Sequence, residues 1–201
     1  MTLFKNKYRI ESTRLKGWDY AKGGWYFVTI CTGDRKCFFG DIAAGEMQLS
    51  AEGRVAKINW CEITNYFPDF QLDEFIIMPN HIHGILVIHQ GKDSLNRCRD
   101  AINRVSTDDM GNHGGVTKQY NPMLSKDSLS KVIRWYKGRC KYEIGKINPD
   151  FSWQPRFDDR IIRDENSLSQ VRHYIVSNPL TWQDDSENPA NLSPKESKDR
   201  F

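Results

Sequence analysis

The run Ile82–His89 is apolar at nearly every position, and no other feature limits so strongly how this chain can fold. A strand of this composition is buried or central in its sheet. A second strand is predicted over Asp73–Met78, and Pro79-Asn80 between the two is a turn signal. Because two strands joined by so short a turn pair in opposite directions, the sequence predicts an antiparallel hairpin.

Further elements are predicted on both sides of this hairpin from their residue patterns. They are a strand over Trp25–Thr32, a helix over Ser50–Tyr66, a helix over Ser128–Ile147, a strand centred on Arg160-Ile161-Ile162 and a helix over Glu165–Ser177. Asp164 is placed to cap the last helix, and Asn178-Pro179 to end it. The order β-α-β-β-α-β-α predicts an α+β fold of the ferredoxin or RRM type, a split βαβ arrangement. Its antiparallel sheet would have four or five strands, with helices mainly on one face.

The length of 201 residues fits one domain, which we expect to span residues 1–182. Residues 1–24 are basic, and we predict an irregular structure for them. Residues 90–127 are predicted to form a long exposed loop. Residues 183–201 are polar and contain proline, which predicts a disordered tail. The five cysteines show no C-x-x-C spacing, which argues against a thiolate zinc site. With no apolar leader segment and no run long enough for a membrane helix, we expect a cytoplasmic protein.

His81 and His83 stand two residues apart on the predicted central strand, so their side chains point to the same face. Neutral imidazoles bind metal ions, and this spacing brings two of them to one ion. The alternative is that one ring lies at the strand end and the other is a core residue with satisfied nitrogens. The two residues alone leave both interpretations open.

Tyr174 and Asn178 lie four residues apart and therefore on the same side of the last predicted helix. A hard ion such as Mg²⁺ or Mn²⁺ prefers an oxygen ligand, which Asn178 offers. A tyrosine hydroxyl beside a metal-bound phosphate can act as a nucleophile and form a covalent phosphotyrosine. Alternatively, Tyr174 is a core aromatic residue whose hydroxyl reaches the surface, and Asn178 is only a helix stop.

The segment from residue 128 to residue 163 holds nine basic and four acidic residues, a net charge of +5 against +3 for the whole chain. Aromatic residues alternate with these cations. Cations that follow phosphates beside rings that stack on bases are typical of single-strand binding. A solvated helix face with core aromatic residues would produce the same pattern.

Two motifs resemble those of a known family. The run Met78–Ile85, MPNHIHGI, resembles the HUH motif (His, hydrophobic, His) of the single-tyrosine transposases. The run Tyr174–Trp182, YIVSNPLTW, resembles their catalytic tyrosine helix in the version found in REP-associated tyrosine transposases. Further likeness lies in Arg14–Tyr20, Tyr26–Thr32, Trp153–Phe157 and Ile161–Arg163. The resemblance extends from about residue 14 to residue 182, without the predicted loop.

The resemblance implies a mechanism and a partner. The last helix would be catalytic, with Tyr174 attacking a phosphate of single-stranded DNA to leave a 5′-phosphotyrosine and a free 3′-OH. His81 and His83 would bind Mg²⁺ or Mn²⁺, with Asn178 as the third protein ligand. The substrate would be single-stranded DNA with a folded hairpin near a short recognition sequence, cut and rejoined without ATP by a monomer or homodimer. The DNA contacts would come from Arg14, Lys16, Lys131, Arg134, Lys137, Arg139, Lys141, Arg156, Arg160 and Arg163.

The sequence departs from the family pattern at one place, and two rival interpretations of its function remain open. Asp159-Arg160 stands where family members usually carry Glu-His, and Arg160 could contact phosphate instead. The first rival is a metal-dependent phosphodiesterase that activates water and does not need Tyr174. The second rival is an RRM-like nucleic-acid-binding module or a domesticated repressor without enzyme activity.

Overall fold

The structure is a computed structural model that describes residues 23–89 and 128–191, together with the backbone of residues 3–4 and 7–8. The predicted loop over 90–127 lies outside the described residues, as do Arg14, Lys16 and the motif around them. Among the described helices, none is both long and apolar enough to cross a membrane.

The described strands and helices follow the predicted order. The strands are β1 (Leu3–Phe4), β2 (Lys7–Tyr8), β3 (Gly24–Cys31), β4 (Gly40–Ala43), β5 (Glu46–Leu49), β6 (Phe70–Ile77), β7 (His81–Ile88) and β8 (Asp158–Ile162). The helices are α1 (Ala51–Cys61), α2 (Ile63–Tyr66), α3 (Leu129–Ile144) and α4 (Glu165–Ser177). Short 3₁₀ helices cover Gly33–Arg35, Asn178–Asp184 and Pro189–Asn191. The one helix predicted over residues 50–66 is divided at Glu62 into α1 and α2.

The main sheet has four antiparallel strands in the order β6-β7-β3-β8, which confirms the predicted fold class. The hairpin of β6 and β7 forms as predicted, and β7 lies between β6 and β3. In the register of β3 and β7, Cys31 is opposite His81 and Thr29 is opposite His83. The start of β7 therefore lies beside the end of β3.

Two small hairpins were not predicted. Residues 1–24 read as irregular, yet β1 pairs with β2, and β4 pairs with β5 through Ala44 and Gly45. Both turn residues have positive φ, 52° and 77°, as a two-residue turn of the primed type requires. Alanine is an uncommon residue at positive φ, which explains why the sequence of this turn did not indicate a hairpin.

Helices cover both faces of the main sheet. Residues alternate between the two faces along β3 and β7. One face packs on α1 and α3, through Tyr26, Val28, Ile82, Leu86, Trp60, Val132 and Tyr136. The other face packs on α4, through Phe27, Ile85, Val87, Leu168 and Ile175. Because β7 is buried on both faces, its sequence shows no alternation between polar and apolar residues.

Gly84 of β7 lies against the buried ring of Trp60, so the sheet and α1 approach closely there. A Cβ at position 84 would lie 2.4 Å from Trp60 Cζ2. We expect Gly84→Ala to lower the free energy of unfolding by about 1–3 kcal/mol, because the ring or the strand must move. Urea denaturation measures this change.

Gly138 of α3 provides the control, because nothing lies within 4 Å of a Cβ built there. Gly138→Ala is expected to raise stability by about 0.5–1 kcal/mol through the lower entropy of the unfolded chain. Equal stability of Gly84→Ala and wild type would contradict the close packing of β7 on α1.

The chain beyond Trp182 differs from the predicted disordered tail as far as residue 191. Arg35 Nη1 donates to the Ser186 carbonyl at 2.9 Å, and Asn80 Nδ2 donates to the Glu187 carbonyl at 2.7 Å. These contacts hold a polar segment that has few apolar side chains of its own. Residues 192–201 lie outside the described residues.

Candidate metal and tyrosine site

The histidine pair opens β7 and faces the side of the sheet that α4 covers. His81 is fully buried and His83 is 4% exposed. Their ring centroids are 4.4 Å apart. The strand therefore brings two imidazoles together at one end of the sheet, as their spacing predicted.

The tautomer of His81 follows from its contact with Asn80. Asn80 Nδ2 donates to two backbone carbonyls, of Arg35 at 3.0 Å and of Glu187 at 2.7 Å, which fixes the orientation of the amide. Asn80 Oδ1 then faces His81 Nδ1 at 2.8 Å and accepts its proton. His81 Nε2 is left with a lone pair, and it is buried without a hydrogen-bond partner among the described residues.

His83 is held between two hydroxyls. Its Nδ1 lies 2.9 Å from Thr29 Oγ1, and its Nε2 lies 3.2 Å from the Tyr174 hydroxyl. The ring of Phe27 stacks on His83 with centroids 5.2 Å apart and meets Tyr174 edge-on at 6.1 Å. These contacts fix the imidazole plane relative to the phenol.

Both imidazoles are neutral at physiological pH. Burial lowers the pKa of His81 to about 3, and the nearby Arg35 charge acts in the same direction. Burial also lowers the pKa of His83 to about 3, and its neighbour His81 adds to the effect while the Asp185 carboxylate opposes it. A neutral imidazole is the form that binds a metal ion.

Helix α4 positions Tyr174. Hydrogen bonds hold both the N-terminus of this helix and one of its sides. Asp164 Oδ1 accepts from the Ser167 N–H at 2.8 Å, which confirms the predicted cap. Arg172 pairs with Asp73 of β6 through two hydrogen bonds of 2.8 and 2.6 Å. Tyr174 is 44% exposed, so its ring contacts His83 while its edge remains open to solvent. Burial raises the pKa of the phenol, which therefore carries its proton.

Asn178 ends α4 one turn beyond Tyr174. It is 1% exposed, and neither atom of its side-chain amide has a hydrogen-bond partner among the described residues. The same amide is close enough to Tyr174 to lower the pKa of the phenol, against the larger opposite effect of burial. The structure buries Asn178 at the end of α4 and shows no contact between it and the histidines.

Asp185 belongs to the same site, and the sequence did not indicate it. The ligand atoms of His81, His83 and Asp185 all lie within 4.8 Å of one another. Asp185 stands in the segment that was predicted to be disordered, where an acidic residue carries no signal for a metal site. Asn80 and Thr29, which orient the two imidazoles, were also missed as site residues; Asn80 stood in the quoted motif only as a turn residue.

The residues present fit a hard divalent ion. A buried imidazole nitrogen with a free lone pair, a second neutral imidazole and the carboxylate of Asp185 lie within 4.8 Å of one another. Mg²⁺ and Mn²⁺ accept such mixed nitrogen and oxygen ligands. The buried His81 Nε2, which has no hydrogen-bond partner among the described residues, and the nearby Asp185 carboxylate are the observations that support this fit.

A cavity of about 580 Å³ opens beside Tyr174. His83, Thr29 and Phe27 form its floor, and Arg160 and Asp158 of β8 form one side. Arg160 pairs with Phe27 across the sheet and is exposed, so its guanidinium is available on the tyrosine side. The room is sufficient for a phosphodiester and its neighbouring sugars.

The other predicted DNA-binding residues lie apart from this cavity. Lys131, Arg134, Lys137, Arg139 and Lys141 are on α3, which packs on the opposite face of the sheet from α4. Lys137 Nζ donates to the carbonyls of Gln154 and Arg156, and Lys141 Nζ donates to that of Phe151. Arg139 pairs with Glu143 at 2.5 Å. The predicted basic strip is therefore partly structural, and it does not line the tyrosine site.

Arg156 and Arg163 flank β8, and both are exposed. Arg156 has a positive φ of 70° in the loop before β8. Arg163 directly follows β8, and Asp164 next to it caps α4. In the sequence, Arg156 and Arg163 are closer to the cavity-lining residues Asp158 and Arg160 than the cations of α3 are.

Comparison with known proteins gives relatives of similar length. No protein-family model matches the chain. A protein of uncharacterized function from Haemophilus influenzae is 34% identical over 177 residues, which are 87% of this chain and 91% of the relative. A second Haemophilus influenzae protein, provisionally named a REP-associated tyrosine transposase, is 29% identical over 163 residues, 81% of this chain and 73% of the relative.

One solved structure supports the fold. It is a REP-associated tyrosine transposase bound to a REP hairpin, with a TM-score of 0.55 and 19% identity. The match covers 87% of this chain and 74% of the other. At this identity, the likeness shows a shared fold.

Proposed function

We propose that this chain, which is similar to a protein provisionally named a REP-associated tyrosine transposase and shares the fold of a solved one, cuts and rejoins single-stranded DNA through a covalent bond to Tyr174. One observation carries this proposal. The Tyr174 hydroxyl lies 3.2 Å from His83 Nε2, and His83 in turn lies beside the unpartnered, buried Nε2 of His81. A tyrosine hydroxyl and a neutral imidazole thus line one open cavity, and the second imidazole lies directly behind the first.

The proposed chemical step is a transesterification at phosphorus. Tyr174 Oη forms a bond to the phosphorus, and the bond from phosphorus to the 3′ oxygen breaks with its electron pair on that oxygen. The phenolic proton leaves to solvent, which reaches the half-exposed tyrosine, and the 3′ oxygen takes a proton from solvent. The products are a 5′-phosphotyrosine and a free 3′-OH. Because the phosphodiester is exchanged for another phosphodiester, a 3′-OH can reverse the step without ATP.

The chain's own residues have separate parts in this step. His81 and His83 would hold Mg²⁺ or Mn²⁺, with the Asn178 amide oxygen as a further ligand. A bound ion supplies charge that polarises the phosphoryl oxygens. Asn80 and Thr29 orient the two imidazoles. The packing of Phe27 and the anchored α4 fix the direction from which Tyr174 attacks.

We propose that the DNA strand enters along β8 rather than along α3. Arg160 lines the cavity beside Tyr174 and could hold the phosphate backbone, at the position where the resemblance expects a histidine. Arg156 and Arg163 extend the positive charge to either end of β8. The exposed Lys131 and Arg134 lie on the other side of the sheet, where they could contact only a more distant part of a hairpin.

The structure disfavours an RRM-like binding module. Such modules stack bases on exposed aromatic residues of their central strands. Here α4 covers that face of β3 and β7, and the buried cluster of Ile85, Val87, Leu168 and Ile175 fills the space. A water-activating phosphodiesterase fits the histidine pair equally well, but it leaves the contact between Tyr174 and His83 without a role.

A strand-transfer experiment with the wild-type protein tests the proposal. A single-stranded hairpin DNA is labelled either at its 3′ end or at its 5′ end and incubated with Mn²⁺ or Mg²⁺. We expect the 3′ label to become bound to the protein under denaturing conditions, while the 5′ label is released on a fragment with a free 3′-OH. EDTA should abolish both products.

The two rival functions predict different products in the same experiment. A water-activating phosphodiesterase would cut the DNA but bind neither label. A binding module would shift the hairpin on a native gel without cutting it. Either outcome, obtained with both metals and several hairpins, would contradict the proposed function.

A further inference from the structure

We propose that Asp185 is a ligand of the metal ion, so that the segment after Trp182 completes the site. This inference rests on the metal site of the proposed function and adds a residue to it. The ligand atoms of Asp185 and of both histidines lie within 4.8 Å of one another. Of this compact group, His83 also lines the cavity beside Tyr174.

A second observation concerns a buried ring nitrogen of this group. His81 Nε2 is buried without a hydrogen-bond partner among the described residues, although Asn80 holds the ring in the tautomer that presents this lone pair. A buried polar atom of this kind is costly unless something binds it. The carboxylate of Asp185 cannot satisfy a lone pair, because an ionised carboxylate only accepts hydrogen bonds. A cation between them satisfies both.

The backbone around Asp185 holds the carboxylate in place. The Glu187 N–H donates to Asp185 Oδ1 at 2.6 Å, and the Asp185 N–H donates to the Trp182 carbonyl at 3.2 Å. Asn188 Nδ2 also donates to the Trp182 carbonyl, at 2.9 Å. A carboxylate that binds through one oxygen can keep the Glu187 N–H on the other, so these contacts are compatible with ligation.

The same residues tie this segment to the histidines. Asn80 accepts from His81 with its amide oxygen and donates to the Glu187 carbonyl with its amide nitrogen. Arg35 donates to the Ser186 carbonyl and forms an ion pair with Glu187 at 3.2 Å. Asn80 therefore orients His81 on β7. It also holds Glu187, which lies two residues after Asp185 on the C-terminal segment. The acidic segment is fixed against the site at three points.

The charge of Asp185 also suits the ion. Two neutral imidazoles give no net charge, and soft or borderline ions such as Zn²⁺ bind well to nitrogen ligands alone. A carboxylate adds a negative charge and a hard oxygen, which favours Mg²⁺ and Mn²⁺. Asp185 would thus affect the choice of metal as well as its affinity.

The test compares Mn²⁺ binding by the full chain and by Asp185→Asn, without DNA, from the electron paramagnetic resonance signal of free Mn²⁺. We expect Asp185→Asn to bind Mn²⁺ at least about tenfold more weakly. Asp184→Asn is the matched control, since Asp184 is the exposed neighbour, and it should bind like wild type. Affinities of Asp185→Asn within twofold of wild type would overturn the inference.

A second measurement keeps the inference testable if the variant is less stable. Water-proton relaxation by bound Mn²⁺ at saturation reports how many waters the ion holds. Asp185→Ala is used for this measurement because alanine offers no ligand atom. Loss of one protein ligand should add about one water in Asp185→Ala, and an unchanged water count would overturn the inference. If Asp185→Asn binds Mn²⁺ normally while the wild type still takes up the 3′ label, only the role of Asp185 fails. If the wild type takes up no label, the proposed function fails whatever Asp185 does.

Discussion

Tyr174→Phe is expected to abolish transfer of the 3′-labelled DNA to the protein, by a factor of at least about 10³. The hydroxyl is the proposed nucleophile, and phenylalanine keeps the ring that packs on Phe27 and His83 while removing the attacking oxygen. The substitution removes one half-exposed hydrogen bond, so the free energy of unfolding should change by only about 1 kcal/mol or less. Denaturing gel electrophoresis of the labelled product measures the transfer.

Tyr142→Phe is the matched control for this substitution. Tyr142 is also an exposed tyrosine, but it lies on α3, on the opposite face of the sheet. It should form the covalent product at the wild-type rate. A covalent product of undiminished amount with Tyr174→Phe would rule out the proposed nucleophile. Cutting without a covalent product in that variant would favour activation of water by the histidine pair.

His81→Ala has the second large effect, and its first readout is metal binding. In the wild type, saturating Mn²⁺ should raise the stability of the protein by mass action, by about 2.7 kcal/mol when the ion is at 100 times its Kd. His81→Ala removes the orphaned Nε2, so added Mn²⁺ should no longer raise the melting temperature. The covalent product should fall by at least about 10²-fold. Because the shift is measured with and without metal, the packing lost at position 81 does not affect the comparison.

His89→Ala is the control at the other end of the same strand. His89 follows β7, is exposed, and its Nε2 lies 2.8 Å from Gln71 Oε1. Its removal should leave both the metal-dependent shift and the covalent product unchanged. If His81→Ala retained the shift in melting temperature, the ion would have to bind elsewhere.

The sequence was sufficient to predict which candidate site residues share a face where they lie on strands or helices. Two histidines separated by one residue must share a face on a strand, and Tyr174 and Asn178 must share a side on a helix. The unbroken apolar run of β7 indicated a strand with both faces covered, and the clusters on its two sides explain that pattern. Local periodicity thus predicted which elements carry the site residues.

The sequence could not predict where the C-terminal segment lies in the fold. Residues 183–191 have a composition typical of a tail, and their placement depends on Arg35 and Asn80, which are more than 100 residues away in the chain. Contacts of this kind leave no periodic signal. Thr29 was missed for the same reason, because its contact with His83 depends on the register between β3 and β7.

The basic helix α3 shows a pattern that has a partly structural cause, and its predicted contact with DNA stays a prediction. Charge and aromatic content of α3 suggested contact with DNA, but Lys137 and Lys141 donate to backbone carbonyls and its aromatic Tyr136 donates to the Ala56 carbonyl in the core. A helix sequence gives the direction of its apolar side but not the face of the sheet on which it packs. Arg160, on a strand, is the cation that reaches the cavity.

Mapping the covalent bond shows directly whether Tyr174 is the nucleophile. The product of wild-type protein and hairpin DNA is digested with nuclease and then with trypsin, and the modified peptide is sequenced by mass spectrometry. Cleavage after Arg172 and Lys195 gives the peptide of residues 173–195, in which Tyr174 is the one tyrosine. We expect a nucleotide linked through its 5′ phosphate to Tyr174. A nucleotide on any other residue, or DNA that is cut while this peptide remains unmodified, would contradict it.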